Sequence, residues 1–332
     1  MISLKYNIKC NMDLQRYFST ENICFFDIET TGFNRNKDIV YLVGLLIYNG
    51  SNYVLKQYLL ESIDEEKLLL NYLIDEFNNK QCLVTFNGDS FDIPFLNSKY
   101  KNYNINYRVP IKNSLDIYKI IKNNKYLFDL KSFKLKSIEK YLGINRKDNV
   151  SGKECISLFY DYLNNNNENS KELVLQHNYD DLYYLPSVLQ ILDIIKDKKT
   201  IRISNTSNIK FLELTIEDLS VESDIMNIYC TTTPISFHPI IIYDNNFNIN
   251  WNTKSGVFKL QLIVKNSILS TNESCIYIDL NDLDVNLTIK DCTNFNIPEN
   301  LILIRIGKKF VIDNIKNLLY QILLNKNLYC GK

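Results

Sequence analysis

The sequence predicts an α/β domain followed by a β-rich one. Strand and helix patterns alternate over the first two hundred of its 332 residues. Past the charged tract Lys196-Asp197-Lys198-Lys199 they give way to period-two alternation. The length suits two moderate domains, divided near residue 199 into 1–199 and 200–332. Hydrophobic residues at 45% and charged residues at 23% allow each a sizeable core.

In chain order, residues 23–28 form a short apolar run that ends in acids. Residues 39–48 form a second run, and 53–60 follow after the turn Asn49-Gly50-Ser51-Asn52. Three strands with such short connections predict an antiparallel meander. Residues 64–77 place Leu68, Leu69, Tyr72, Leu73 and Phe77 at helical spacing. A strand at 81–86 leads through Asn87-Gly88 into a helix at 91–100. A strand begins at 114, a short helix at 137–142 stops at Gly143, and longer helices cover 152–163 and 170–195. In the second part, Phe247, Ile249 and Trp251 alternate with asparagines, and Phe258, Leu260 and Leu262 with Lys259 and Gln261, a hairpin pattern. Strands are also expected at 201–204, 276–280 and 301–306, with a closing helix near 313–324.

Formal net charge is zero, so bulk electrostatics give no support for a protein that coats nucleic acid, although a local acidic centre offset by basic residues elsewhere is compatible with it. The eight cysteines form no CxxC pair, which predicts free thiols in a reducing compartment rather than disulfides or zinc ligands. The N-terminal residues lack a signal-peptide core and no apolar run reaches membrane-spanning length, so the expected location is the cytoplasm, without membrane attachment.

Four segments carry chemistry. In Phe25-Phe26-Asp27-Ile28-Glu29-Thr30-Thr31-Gly32, positions i and i+2 of a strand share a face, so Asp27 and Glu29 project together. Adjacent carboxylates repel unless a cation lies between them, and hard oxygen ligands suit Mg²⁺ or Mn²⁺. In Asn87-Gly88-Asp89-Ser90-Phe91-Asp92, a glycine permits a sharp turn and Asp92 opens a helix. There it is either a metal ligand or an acid satisfying helix N-terminal donors. His177 and Asp181 stand four apart on one helix face, which pairs an acid with a base, whereas Asp180 lies about a hundred degrees around the helix. Finally, residues 112–140 hold eight lysines against three acids, with Tyr118, Tyr126, Phe128 and Phe133 interleaved. That stretch reads equally as a phosphate- and base-contacting surface or as a solvated face.

Together these segments resemble the DEDD superfamily of 3′→5′ exonucleases. Asp27-Ile28-Glu29-Thr30-Thr31-Gly32 matches its first motif, Asn87-Gly88-x-x-Phe91-Asp92 its second and His177-x-x-x-Asp181 its third. Ser114-Leu115-Asp116-Ile117 and residues 135–144 look like the bacterial YprB-like branch. The resemblance covers about residues 20–195 and implies a ribonuclease-H-like mixed sheet flanked by helices. It further implies two divalent cations held by Asp27, Glu29, Asp92 and Asp181, with hydrolysis at the 3′ end of DNA or RNA. Asp27 would bridge both ions, Glu29 and Asp181 would hold the one that activates water, and Asp92 the other. His177 sits at the spacing the family usually gives to tyrosine, where it would accept or position the proton of the attacking water. Thr30, Thr31, Asn87 and Phe91 are candidates for holding the terminal nucleotide. Two rival readings stay open: a catalytically weak binding or assembly module of the same fold, and a structure-specific endonuclease. The C-terminal part, with 12 basic and 13 acidic residues, resembles no family and names no protein partner.

Overall fold

A computed structural model describes residues 1–9, 12–50, 52–78, 80–146, 148, 150–204, 211–235, 238–283 and 287–325. The chain forms two compact units, Met1–Lys125 with Leu130–Asp193, and Tyr126–Asp129 with Ile194–Lys332.

The first unit is built on β1 (Ile2–Lys9), β2 (Ile23–Thr30), β3 (Val40–Tyr48), β4 (Asn52–Leu59), α1 (Glu66–Asn78), β5 (Cys82–Thr85), α2 (Asp92–Asn102), β6 (Ser114–Asp116), α3 (Ile117–Asn123), α4 (Leu135–Tyr141), α5 (Gly152–Asn165), α6 (Glu168–Val188) and α7 (Gln190–Lys199), the last of which runs on past Asp193. Its sheet has the order β1-β4-β3-β2-β5-β6. The predicted meander forms β2, β3 and β4, antiparallel, while β2–β5 and β5–β6 are parallel. It is the predicted mixed sheet with flanking helices. Cys24, Phe26 and Ile28 join the main core of this unit, where Phe26 meets Phe77 of α1 with ring centroids 5.2 Å apart. The alternate residues of β2 face α6, whose Asn178 reaches Asp27.

Strand β1 went unpredicted, although Ile2, Leu4, Tyr6 and Ile8 alternate with polar residues. It pairs along its whole length with β4 and ends the sheet. The helix expected over 170–195 is two helices. Pro186 has no N–H to continue the helical ladder, and α6 ends two residues later. The turn before α2 also differs from expectation. Asn87, with φ of 73°, takes the left-handed conformation, and a Cβ on Gly88 would collide with the Thr85 side chain. Gly88 is therefore needed for close approach rather than for its own backbone angle.

The second unit holds β7 (Thr200–Ser204), β8 (Phe211–Glu222), β9 (Ile225–Thr232), β10 (Ile240–Tyr243), β11 (Phe247–Asn252), β12 (Val257–Ile263), β13 (Lys265–Ile268), β14 (Ser274–Asp279), β15 (Leu301–Ile306), β16 (Lys309–Phe310) and α8 (Ile312–Asn325). Two antiparallel sheets, β10-β11-β12-β9-β8-β7 and β13-β14-β15-β16, share one core with α8. The predicted hairpin is β11–β12, in register from Phe247 opposite Leu262 to Asn252 opposite Val257. Cys24, Cys82, Cys155, Cys230, Cys275 and Cys292 are free thiols, whereas Cys10 and Cys330 lie outside the described residues. No helix among the described residues is long and apolar enough to cross a membrane.

Gly44 of β3 stands opposite Asp27, where a Cβ would collide with Asn178 and Leu182 of α6. Its missing side chain is what lets α6 approach β2. Gly44→Ala should cost about 1–3 kcal/mol by overpacking, read as a lowered denaturation midpoint. An unchanged midpoint would show that α6 can retreat freely.

Candidate metal centre

Four elements converge on one place. Strand β2 presents Asp27, half-buried, and Glu29, buried, on the face that meets α6. Strand β5 stops pairing with β2 at Val84 opposite Phe25. Beyond that end the Ile28 N–H is met by the Asp92 carboxylate at 3.1 Å rather than by another strand. Asp92 thus serves a donor of the neighbouring strand, a third possibility beside the two that the sequence left open. From α6, His177 and Asp181 face Glu29: His177 Nε2 lies 3.6 Å from Glu29 Oε1 and 3.7 Å from Asp181 Oδ2. One ligand atom from each of Glu29, His177 and Asp181 falls within 4.8 Å of the others. The five residues predicted as catalytic are brought together.

Residues that the motifs did not single out hold this arrangement. Asn178 donates to Asp27 Oδ2 at 3.0 Å, and its own amide oxygen accepts from Gln57 of β4 at 3.0 Å. Asp148, between α4 and α5, bonds His177 Nδ1 at 2.7 Å and pairs with Lys136 at 2.9 Å. Asp180 is turned away, as its helical position requires, and accepts from the Asp148 N–H at 3.2 Å. Arg146 pairs with Asp181 Oδ1 and stands 3.4 Å from Glu139. Asn178 could not be found from spacing, because it stands as far to one side of the His177–Asp181 face as Asp180 does to the other, and only the packing of α6 on β2 turns its side toward Asp27. Asp148 and Arg146 lie in a loop whose sequence gives no such periodicity.

Burial raises the Asp27 and Glu29 carboxyls well above the usual range, with repulsion from Asp181 the next cause for each. Burial likewise pushes Asp92 up to about 7, against the lowering effect of the Ile28 N–H. Asp148 behaves oppositely: burial raises it, yet hydrogen bonds from Lys136, the Val150 N–H and His177 hold it below the ordinary range. The donor set is therefore mostly carboxylate oxygen, buried and short of positive charge on the Asp27 side. Those are the conditions that a divalent cation relieves.

The candidate nucleotide-holding residues surround the centre unequally. The Thr30 hydroxyl donates to the Gly32 carbonyl at 2.8 Å, and the Thr31 hydroxyl accepts from the Ile39 N–H at 2.9 Å, so both brace the loop after β2. The Asn87 N–H donates to Asp116 at 2.8 Å, which fixes the turn before α2. Phe91 is half-buried and packs edge-to-face on Phe33 at 6.0 Å, a ring that is itself 89% exposed. Within the lysine-rich stretch, Phe128 is buried and Lys136 is bound to Asp148.

A family profile described as the RNase_H superfamily matches residues 24–193, half of the chain. The chain belongs to the RNase_H superfamily. Asp27, Glu29, Asp92, His177 and Asp181 all fall within the matched span. Among solved structures, the chain is similar to the family B DNA polymerase of the archaeon Pyrobaculum calidifontis, at 16% identity and a TM-score of 0.41, over 51% of this chain and 24% of that one. It is similar to the E. coli exonuclease I bound to single-stranded DNA, at 13% identity and 0.32, over 63% and 54%. It is also similar to exonuclease I from Methylocaldum szegediense, at 10% identity and 0.29, over 62% and 54%. The chain thus spans about a quarter of the polymerase and about half of each exonuclease. No curated protein matches the sequence.

The raised carboxyls set a direction for stability. In the unfolded chain such groups titrate near about 4, whereas folded Asp92 titrates at about 7. The folded state holds these protons more tightly, so their stabilising contribution is complete below about 4 and is lost as pH rises through the folded values. Without added cations, the Tm should fall between pH 5.5 and 8, and Mn²⁺ should restore it mainly at the upper end. Asp92→Asn, which keeps an acceptor for Ile28, should flatten that fall by roughly 2–4 °C. An equal pH slope in both proteins would contradict the proton-binding assignment.

Proposed function

We propose that the protein is a nuclease that removes nucleotides from the 3′ end of DNA or RNA, in the 3′→5′ direction, with two divalent cations, Mg²⁺ or Mn²⁺. The observation that carries this reading is the crowding of half-buried Asp27 and buried Glu29 and Asp92 beside Asp181, each of the first two carboxyls destabilised as an anion by desolvation and by its acidic neighbours. Membership of the RNase_H superfamily supports a nuclease, and the order of the three motifs supports the exonuclease branch. The likeness to the YprB-like branch is the narrower part of the same reading.

Asp27, Glu29, Asp92 and Asp181 would hold the cations, with Asp27 shared between them. The bound ions would neutralise phosphate charge and stabilise the attacking and leaving oxygens of an in-line displacement. The chain's own groups would do the rest. Asn178 keeps Asp27 in one orientation, and the Ile28 N–H keeps Asp92 in one. His177 borders the same centre and completes the catalytic set with those four acids. The exposed Phe33 ring, braced by Phe91, would stack the terminal base, while Thr30, Thr31 and Asn87 shape the loops on which the nucleotide rests. We place the enzyme in the cytoplasm, where its free thiols suit a reducing medium.

The test is digestion of matched 5′-labelled single- and double-stranded DNA and RNA with Mn²⁺. A ladder shortening from the 3′ end is expected. One internal cut would replace the exonuclease by a structure-specific endonuclease, and no cutting of any substrate would leave only a binding module. Asp27→Ala and Asp181→Asn should each abolish cleavage in a folded protein, while full activity in folded Asp27→Ala would sink the assignment. Phe33→Ala should weaken single-strand binding at least about fivefold without altering cation affinity. Equal binding by the variant would remove Phe33 from the substrate path.

A further inference from the structure

Resting on the cation-centre reading above, we propose that His177 is itself a metal ligand, set in place by Asp148. The ion at Glu29, His177 and Asp181 is then a first-row transition-metal ion in preference to Mg²⁺.

Both ring nitrogens of His177 contribute to the case. Nδ1 is 2.7 Å from Asp148 Oδ2, and the same carboxylate oxygen takes Lys136 at 2.9 Å. Asp148 Oδ2 already accepts from the Lys136 ammonium and so serves as an acceptor to His177 too, which puts the proton of that bond on Nδ1 and, in the neutral ring, the lone pair on Nε2. Metal-ligating histidines are commonly fixed in this manner, with the second nitrogen donating to a carboxylate. Nε2 faces Glu29 Oε1 at 3.6 Å and Asp181 Oδ2 at 3.7 Å, both beyond hydrogen-bond length. Donors that share one ion at about 2.0–2.2 Å stand roughly 3–4 Å apart. Arg146 occupies the other oxygen of Asp181, which leaves Oδ2 as the atom turned to His177. A base for water needs its nitrogen open to a water-filled space, whereas the His177 side chain is 6% exposed and its Nε2 is flanked by two carboxylates. One imidazole among oxygen donors shifts preference away from Mg²⁺, which favours an all-oxygen shell, toward later divalent ions.

The chain contains only two histidines, which makes the decisive measurement direct. Pulsed EPR of the Mn²⁺-loaded protein should show coupling to a histidine nitrogen, changing on ¹⁵N-histidine labelling and persisting in His238→Gln. Asp148→Asn should weaken Mn²⁺ binding about tenfold, while Mg²⁺ binding, measured by calorimetry, changes less than about threefold. Mn²⁺ binding that depends on Asp27 but shows no nitrogen coupling would overturn the ligand assignment and leave the nuclease reading intact. Mn²⁺ binding indifferent to Asp27→Ala, or no binding at all, would overturn both. Because the labelling experiment needs no substitution at His177, a folding defect in His177→Ala cannot obscure the result.

Discussion

The first unit depends on a repulsion. Asp27, Glu29, Asp92 and Asp181 crowd into a largely buried space where burial and the charges of their acidic neighbours raise the cost of ionising Asp27 and Glu29. Such a cluster persists only if the surrounding fold holds it in place, and most of the local contacts serve that purpose. Asn178 and Gln57 link Asp27 to β4 through two amides, the Ile28 N–H anchors Asp92, and Arg146 offsets part of Asp181. The helices are arranged to make these contacts possible. Gly44 gives α6 its approach, and the Asn87–Gly88 turn delivers α2 with Asp92 at its first residue.

The centre has two sides of different chemistry. Toward Asp27 and Asp92 the donors are oxygens with neutral hydrogen-bond partners. Toward Glu29 and Asp181 they include an imidazole, with Lys136 and Arg146 behind it. The polarity of the site therefore comes from which loop backs each carboxylate. The segment between α4 and α5, which carries both Arg146 and Asp148, supplies most of that difference.

Much of this was legible from the sequence, because the acids lie on elements whose periodicity is strong. The period of two put Asp27 and Glu29 on one face, and the helical period put His177 with Asp181 and turned Asp180 away. The parts that sequence missed have physical reasons. Strand β1 alternates plainly but follows no partner in sequence, since it pairs with β4 some fifty residues on. In β8 the register shifts between Ile216 and Asp218, so Leu214 and Ile216 fall out of step with Leu219 and Val221 and no single alternation shows. Asp148 and Arg146 act from a loop, where function follows from the contacts of the folded chain and not from spacing. The difference between Asn87 and Gly88 in the turn is likewise a matter of which residue meets Thr85, which only the folded chain decides.

Strand β5 is four residues long, and its last partner on β2 is Phe25. That brevity is an address. The gap beyond it is the place where Asp92 finds the backbone of β2, so the location of the chemistry is written in the length of a strand that contributes no acid. An insertion that let β5 continue would offer Ile28 an ordinary sheet partner and evict the carboxylate, with every acidic residue still intact in the gene. For anyone redesigning this scaffold, or reading drift among its descendants, the count of residues between Gln81 and Asn87 carries as much information as the acids themselves.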